Sequence, residues 1–272
     1  MSTETTAVLS ERIAHRGVRV FSAAVLVFLV APILIIVPLS FNQSSYFSYP
    51  LTGLTLGWYE LVLGSPEWRM AILNSFVIGL SATAIATALG TLAAIGISRP
   101  SFPLRGVIVP ILIAPMIIPI VVVAVSLYLV FAPLGLTNTH SGVILAHAAL
   151  GTPFVVITVT ARLMAFDTTL SRAAASLGAT PWEVFRRVML PQILPGVATG
   201  SIFAFATSFD EVVVILFIGG TEQRTIPRQM WAGIRDQINP GILAMAGLLT
   251  VFAVVLFLLI GWLQGRSGAP AR

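Results

Sequence analysis

LSRAAASLGATPWEVFRRVMLPQILPG, residues 170–196, is the longest polar interruption between the long apolar runs of the chain. Its pattern predicts two short helices joined by a tight turn. Asp167 or Thr168 caps the first helix, whose alanine-rich body (residues 172–177) has high helix propensity. Gly178 then supplies the left-handed residue that ends a helix at little conformational cost.

The second helix of this pair opens with three N-terminal signals. Thr180 is the expected cap, Glu183 its capping-box partner, and Pro181 occupies the first turn, where a missing amide hydrogen costs nothing. The helix is predicted to run to about Met189, and Pro191 marks its end or a kink.

The composition on either side of this stretch is that of a membrane protein. The 272 residues are 57% hydrophobic and 9% charged, with a mean hydropathy of +0.98, whereas soluble domains carry about 25% charged residues. Cysteine is absent, which excludes disulfides, iron–sulfur clusters and cysteine-based zinc sites. Lysine is absent too, so the chain lacks the lysine of an orthodox phosphate-binding loop, and any ATP must be bound by another subunit.

The apolar runs predict an all-α integral membrane protein with six transmembrane helices, because each run approaches the roughly 20 residues that span a bilayer. Proline residues predict kinks in the third span, and the polar start of the chain (residues 1–20) precedes an uncleaved first span. The longer loop at residues 42–69 carries aromatic side chains suited to the membrane interface. The spans are expected at residues 21–41, 70–98, 106–131, 142–163, 193–218 and 240–263.

The arginines give the orientation. Most of the 15 basic residues, all of them arginine, fall on one side of the predicted spans, which makes that side cytoplasmic by the positive-inside rule. Both termini and the loop at residues 164–195 are therefore expected in the cytoplasm. This gives a cytoplasmic segment (1–20), one transmembrane domain (21–264) and a cytoplasmic tail (265–272). Because most of the arginines lie in the loops on one side of the membrane, the net charge of +5 is explained by orientation and does not indicate nucleic-acid binding.

The stretch at residues 170–196 resembles a known signature. Ala173-Ala174, Gly178 and the later Val188-Met189-Leu190-Pro191 are similar to the EAA loop, E-A-A-x-x-x-G followed by I-x-L-P, of permease subunits of binding-protein-dependent ABC importers. The glutamate of that signature is replaced by Arg172 here. This replacement leaves open whether the salt bridge that the glutamate forms with the ATPase is present, but it does not affect the expectation of a docking helix. The resemblance implies the type I ABC importer permease fold with a cytoplasmic coupling helix. The implied ATPase-coupling residues are Arg172, Ala173, Ala174, Leu177, Gly178, Val188, Leu190 and Pro191.

The resemblance also implies partners. These are a second permease subunit forming a heterodimer, two ATPase subunits that bind ATP and Mg, and an extracytoplasmic substrate-binding protein. The chain itself would hold no cofactor or metal, perform no catalysis, bind no nucleic acid, and lie in the lipid bilayer of a bacterial inner membrane. Other readings are an ordinary loop or a DNA-binding helix pair at residues 170–196, an ion-coupled transporter acting alone, and a membrane-embedded enzyme, for which no residue set is evident.

Asp210 and Glu211 are the acids placed inside an apolar run. A carboxylate at membrane depth costs about 3 kcal/mol, so it usually faces a cavity, a partner or a substrate path. A translocation-path role and a structural role, pairing with an arginine or with helix amides near a break, are both open. The segments SFDEVVVILFIGG and RTIPRQMW resemble the spermidine/putrescine-type branch, which implies a small cationic amine as substrate. Importers of aminophosphonates, opines and amino-acid-like compounds are also similar.

Two further features, an amphipathic segment and a lone histidine, are expected to have structural roles. Residues 226–238 predict an amphipathic helix with Thr225 as cap and Pro227 in its first turn, lying flat at the outer interface or closing the pore. His147, alone within the fourth span, is expected to form a hydrogen bond between helices rather than to bind a ligand, since no second ligand lies at helical spacing.

Overall fold

The computed structural model of the chain describes residues 2–45, 48–99, 102–236 and 240–267. Within these ranges the regular structure is helical, apart from one isolated β-bridge between Asn42 and Leu54. A π-helical segment, Phe185–Met189, lies between the eighth and ninth α-helices. The α-helices are α1 (Ser2–Leu39), α2 (Gly57–Gly64), α3 (Pro66–Ile97), α4 (Arg105–Ile117), α5 (Ile120–Phe131), α6 (His140–Met164), α7 (Thr168–Ser176), α8 (Pro181–Val184), α9 (Leu190–Asp210), α10 (Val213–Ile218), α11 (Ile226–Asp236) and α12 (Gly241–Ser267).

The long apolar helices coincide with predicted spans. Among the described residues, four helical segments are long and apolar enough to cross a membrane: His15–Leu39, Pro66–Ile97, His140–Met164 and Pro181–Asp210. The bent pair α4 and α5 makes up to five if it counts as one span. The sixth predicted span corresponds to α12, whose segment Gly241–Val255 is a shorter apolar helix.

The third predicted span is broken rather than kinked. The axes of α4 and α5 meet at 109°, and the break falls at Ile118 and Pro119, which both have extended backbone ψ angles of 138° and 130°. Proline restricts the residue before it to extended conformations, so Pro119 ends α4 at Ile117. Pro110 and Pro115 lie inside α4 without ending it.

The fifth predicted span differs from expectation at both ends. Its helix is continuous from Pro181 to Asp210, so Pro191 does not end the second helix of the predicted pair. The π-helical turn just before Pro191 widens the helix, which relieves the clash of a proline ring with the preceding turn. At the other end the helix stops at Asp210, because Glu211 is extended, and a separate helix, α10, follows.

The chain divides into two compact units, Met1–Ser65 with Gly233–Arg272, and Pro66–Ala232. In the first unit α12 packs against α1 and α2. The predicted loop at residues 42–69 contains α2, which is tied to the end of α1 by a hydrogen bond of 2.6 Å between the Tyr59 and Ser40 hydroxyls. Trp58 donates to the Asn42 carbonyl at 2.9 Å. These two aromatic residues therefore hold this connection together, beyond any contact with the membrane interface.

The second unit is built on three helices, α3, α6 and α9, which pack tightly together. Small residues allow the approach: a methyl group on Gly151 of α6 would lie 2.9 Å from the Ala204 Cβ of α9 and 3.4 Å from the Ala86 Cβ of α3. A second apolar cluster joins α5 and α6 to the short helix α10 through the buried side chains of Ala124, Leu150 and Ile215. This cluster holds the break between α4 and α5 and the break between α9 and α10 against the bundle of α3, α6 and α9.

Candidate functional site

The first helix of the predicted pair, α7, has the predicted ends. The Asp167 carboxylate accepts a hydrogen bond from the Thr169 amide at 2.8 Å, which identifies Asp167 rather than Thr168 as the cap. Gly178 has a φ of +88°, and the amides of Gly178 and Ala179 donate to the Ala175 and Ala174 carbonyls at 3.0 and 3.1 Å. This is a Schellman ending, which needs a left-handed residue at the position of Gly178.

The second helix of the pair begins with the predicted capping box. The Glu183 carboxylate accepts from the Thr180 amide at 2.9 Å, and the Glu183 amide donates back to the Thr180 hydroxyl at 3.3 Å. Pro181 occupies the first turn. Hydrogen bonds from the Thr169 hydroxyl and amide hold the pKa of Asp167 below its usual value, with a smaller contribution from the Arg172 charge. The turn between the helices is therefore defined by local hydrogen bonds at each end.

The structure separates the predicted coupling residues into two groups. The tip, formed by Arg172, Ala173, Leu177 and Gly178, is exposed, and Leu177 is 89% exposed. Ala174, Val188 and Leu190 are half-buried, and Leu190 packs against the buried cluster of α3, α6 and α9, while Pro191 is exposed.

Sequence reasoning missed one residue of this loop, Trp182. Its side chain is 65% exposed, and its ring lies 5.5 Å from that of Phe185. An exposed tryptophan in a polar loop is a signal that could have marked Trp182 as a candidate contact residue, because tryptophan is enriched at the centres of interfaces.

Both helix breaks of the second unit line one cavity of about 450 Å³. Asp210 and Glu211 lie on one side of it, where α9 ends, and Met116 and Ile118 lie on the other, where α4 ends. The C-terminal ends of both helices carry negative partial charge. Phe154 also lines the cavity, so carboxylate, helix-end and aromatic groups that attract cations occur together.

The two acids occupy different environments. The Glu211 carboxylate accepts a hydrogen bond from the Val214 amide at 2.8 Å and so caps α10, which confirms the helix-amide role for this residue. Asp210 is exposed at the end of α9 and, within the described part of the chain, forms no ion pair with an arginine. One oxygen of Glu211 is therefore engaged at the start of α10, and the carboxylates of both Asp210 and Glu211 line the cavity.

A polar cluster near the N-terminal end of α3 binds the connection between α10 and α11. The Asn74 amide group donates to the Glu222 and Arg224 carbonyls at 2.7 and 2.9 Å, and its oxygen lies 3.1 Å from the His140 Nε2. Asn74 is 6% exposed. Sequence reasoning gave this residue no role, although an asparagine within an apolar run is the signal that could have indicated one.

The predicted amphipathic helix is present as α11, with Pro227 in its first turn. Thr225 occupies the predicted cap position, since its carbonyl accepts from the Gln229 amide at 2.8 Å. Its hydroxyl, however, is buried without a hydrogen-bond partner among the described residues, and the Ile226 amide donates instead to the Ser75 hydroxyl at 2.8 Å. The capping hydroxyl thus comes from α3, a source that local sequence cannot reveal. Ile238, the last residue of the predicted apolar face, lies outside the described residues.

His147 has the expected structural role. It is fully buried, and its Nδ1 lies 2.8 Å from the Ser208 hydroxyl, which links α6 to α9. No group of three or more histidine, cysteine, aspartate or glutamate side chains that could hold a metal ion occurs in the residues that the structure describes.

Residues 86–268 match the family model described as "Binding-protein-dependent transport system inner membrane component". The chain belongs to this family. It is thus a multi-pass transport component of the inner membrane. The permease is also 31% identical over 236 residues to the spermidine/putrescine transport system permease protein PotC of Escherichia coli (strain K12), covering 87% of this chain and 89% of that one. It is 32% identical over 247 residues to the putrescine transport system permease protein PotI of the same strain, covering 88% of each.

Solved structures support the fold of the permease. A chain of a bacterial ABC transporter involved in the import of the acidic polysaccharide alginate superposes with a TM-score of 0.75. The match covers 93% of this permease and 96% of that chain at 16% sequence identity. A chain of an amino acid ABC transporter gives a TM-score of 0.59 at 19% identity, covering 78% and 100% of the two chains. At these identities the likeness concerns the fold alone.

Proposed function

We propose that this chain is a permease subunit that carries a small cationic amine, such as spermidine or putrescine, across the inner membrane of a bacterium. The similarity to PotC and PotI over most of the chain supports this substrate class. The observation that carries it is the position of Asp210, an exposed carboxylate beside the helix-end cavity, with Phe154 in the same lining. An ammonium group is attracted by both a carboxylate and an aromatic face.

The proposal includes a complete importer. Six spans, counting the α4–α5 pair and α12, form one transmembrane domain with both termini in the cytoplasm. A second, different permease subunit completes the pathway, and two ATPase subunits bind ATP and Mg. A substrate-binding protein delivers the amine from outside. The family description, with its binding-protein-dependent systems, supports such an assembly.

Energy coupling is assigned to the docking loop, residues 164–195. ATP binding closes the ATPase dimer and draws the docked tips of the two permeases together, and the bundle then opens outward. Hydrolysis returns it to the inward-open state. The exposed tip with Arg172, Ala173, Leu177 and Gly178 supports this role, because these residues have few contacts within the chain. The second arm, with Val188, Leu190 and Pro191, connects the tip to the bundle.

The test is the ATPase activity of the co-expressed, purified complex, reconstituted with its binding protein and given spermidine, putrescine or an aminophosphonate. Stimulation by a polyamine supports the whole proposal. Stimulation by the aminophosphonate alone keeps the importer but replaces the substrate class. A chain that transports solute with no ATPase subunit attached is an ion-coupled transporter instead.

The path is tested with a matched pair of variants. Asp210→Asn removes the exposed carboxylate and should reduce amine uptake by about fivefold or more, since a charge pair at about 4 Å is worth about 1 kcal/mol even in water. Glu211→Gln keeps an oxygen that accepts from the Val214 amide but also removes a charge from the cavity lining, so uptake should fall less than in Asp210→Asn. Equal loss of uptake and of complex assembly in Asp210→Asn would indicate a structural role for Asp210.

A further inference from the structure

The two carboxylates of the docking loop (residues 164–195), Asp167 and Glu183, already accept hydrogen bonds from residues of the same loop. Asp167 accepts from the Thr169 amide at 2.8 Å, and Glu183 accepts from the Thr180 amide and hydroxyl, both at 2.9 Å. Glu183 also lies 3.9 Å from Arg187. The guanidinium of Arg172, by contrast, donates to the Thr168 hydroxyl at 3.4 Å and has no carboxylate within salt-bridge distance among the described residues.

Exposed apolar side chains occur in the same loop as Arg172. Leu177 follows Ala173 by one helical turn and is 89% exposed, and Trp182 is 65% exposed across the turn at Gly178. Arginine and tryptophan are enriched among the residues that contribute most to the free energy of binding at protein interfaces. Besides Arg172, the rest of α7 offers threonine, serine, alanine and one half-exposed leucine, Leu170, whereas a helix that lies on a lipid surface needs a broad apolar face. The tip therefore fits a protein groove better than a bilayer surface.

We propose that the groove of the ATPase subunit that receives this loop presents a carboxylate opposite Arg172 and an apolar pocket for Leu177. This inference rests on the proposed function, since it assumes that an ATPase subunit docks here. A charged pair that is desolvated on docking selects its partner strongly, because a like charge at the same place repels the arginine. The arginine therefore excludes ATPase subunits with a basic groove at this point, which is a specificity role for Arg172.

The experiment uses the full co-expressed complex and measures how much ATPase subunit remains bound to the tagged permease as salt is raised. Arg172→Glu should weaken retention by at least about tenfold at low salt, the lower end of what close charge pairs contribute, and Arg172→Lys should retain most of it. Arg105→Glu is the matched control, since Arg105 is an exposed arginine at the start of α4, outside the loop. Leu177→Asp should weaken retention at every salt concentration.

A reciprocal change makes the proposal specific. Acidic residues of the ATPase subunit are reversed to arginine one at a time, and one of them should restore retention of Arg172→Glu while weakening the wild type. Retention that is unchanged in Arg172→Glu, or lost equally in Arg105→Glu as expected for a contact with anionic lipid, would overturn the inference and leave the importer intact. Absence of any ATPase subunit with the wild-type chain would instead remove the proposed function and this inference with it.

Discussion

Gly178→Val tests whether the turn between α7 and α8 holds the docking tip in shape. Gly178 has a φ of +88°, and a Cβ at this position would meet no atom within 4 Å. The substitution therefore adds no clash, and its whole effect comes from backbone strain. Holding a β-branched residue in this region costs about 1–3 kcal/mol, which corresponds to about a five- to 150-fold loss of the docked conformation.

Two glycines of the same chain provide controls. Gly135→Val carries a comparable strain, since Gly135 has a φ of +66° and also has no neighbour within 4 Å of a Cβ, but it lies in the turn after α5. Gly106→Val adds the same side chain in open space within α4, where no positive φ is involved. Each variant is compared with the wild type for membrane insertion, for retention of the ATPase subunit and for substrate-stimulated ATPase activity.

We expect Gly178→Val to insert normally and to lose retention and stimulation together, while Gly106→Val keeps both. Gly135→Val should lower thermal stability without a selective loss of ATPase retention. The reasoning would be refuted by a Gly178→Val complex that couples as well as the wild type. It would equally be refuted if Gly135→Val lost retention to the same degree.

Three further predictions concern packing, a buried polar contact and a cap. Asn74→Asp removes the donors to the Glu222 and Arg224 carbonyls and should cost about 1–3 kcal/mol for each carbonyl left unpaired. A lower melting temperature and faster hydrogen exchange at residues 220–225 would show it, whereas Thr83→Ala, which removes a bond within α3, should change little. Gly200→Ala would place a methyl group 2.5 Å from the Thr158 Oγ1 and 2.7 Å from the Val155 Cα. It should lower the melting temperature by overpacking worth about 1–3 kcal/mol, while Gly96→Ala, whose nearest contact is 3.9 Å, should not. Because the pKa of Asp167 in the folded loop lies below its ordinary value of 3.8, its cap stabilises α7 above that pH and is lost as the pH falls through the folded-state pKa. Hydrogen-exchange protection of α7 should therefore fall in acid for the wild type but not for Asp167→Asn, in which a neutral amide oxygen remains as the cap.

The ends of α7 and α8 were predictable because their causes are local. A cap and its partner lie within three residues of each other, as Thr180 and Glu183 do, so the spacing alone identifies them. The same holds for Gly178, where a single residue supplies the left-handed conformation. The predicted spans likewise follow from long apolar runs, whose length is fixed by the bilayer.

The features that sequence reasoning missed depend on distant contacts. Asn74 reaches the Glu222 carbonyl across 148 residues of sequence, and Ser75 caps α11 across 151. No local pattern at either end reveals such a pair. The break after Asp210 is an intermediate case: the two acids were visible, but the helix they end looked like one apolar run. Only the hydrogen bond of Glu211 to the Val214 amide shows that a new helix begins there.

One helix connects the proposed docking loop to the cavity that Asp210 lines. The helix from Pro181 to Asp210 contains 30 residues without a break, a length of about 45 Å at 1.5 Å per residue. Its first turn adjoins the exposed tip, and its last residue lines the cavity. Along its length Gly196 allows contact with the Arg162 side chain of α6, where a Cβ would lie 2.6 Å from the Arg162 Cγ. Under the proposed coupling, a displacement of the tip moves Asp210 unless the helix bends at its π-helical segment. The proposed coupling therefore needs no chain of side-chain rearrangements. Substitutions at the tip should abolish stimulation of the ATPase while leaving the affinity of the cavity for an amine unchanged.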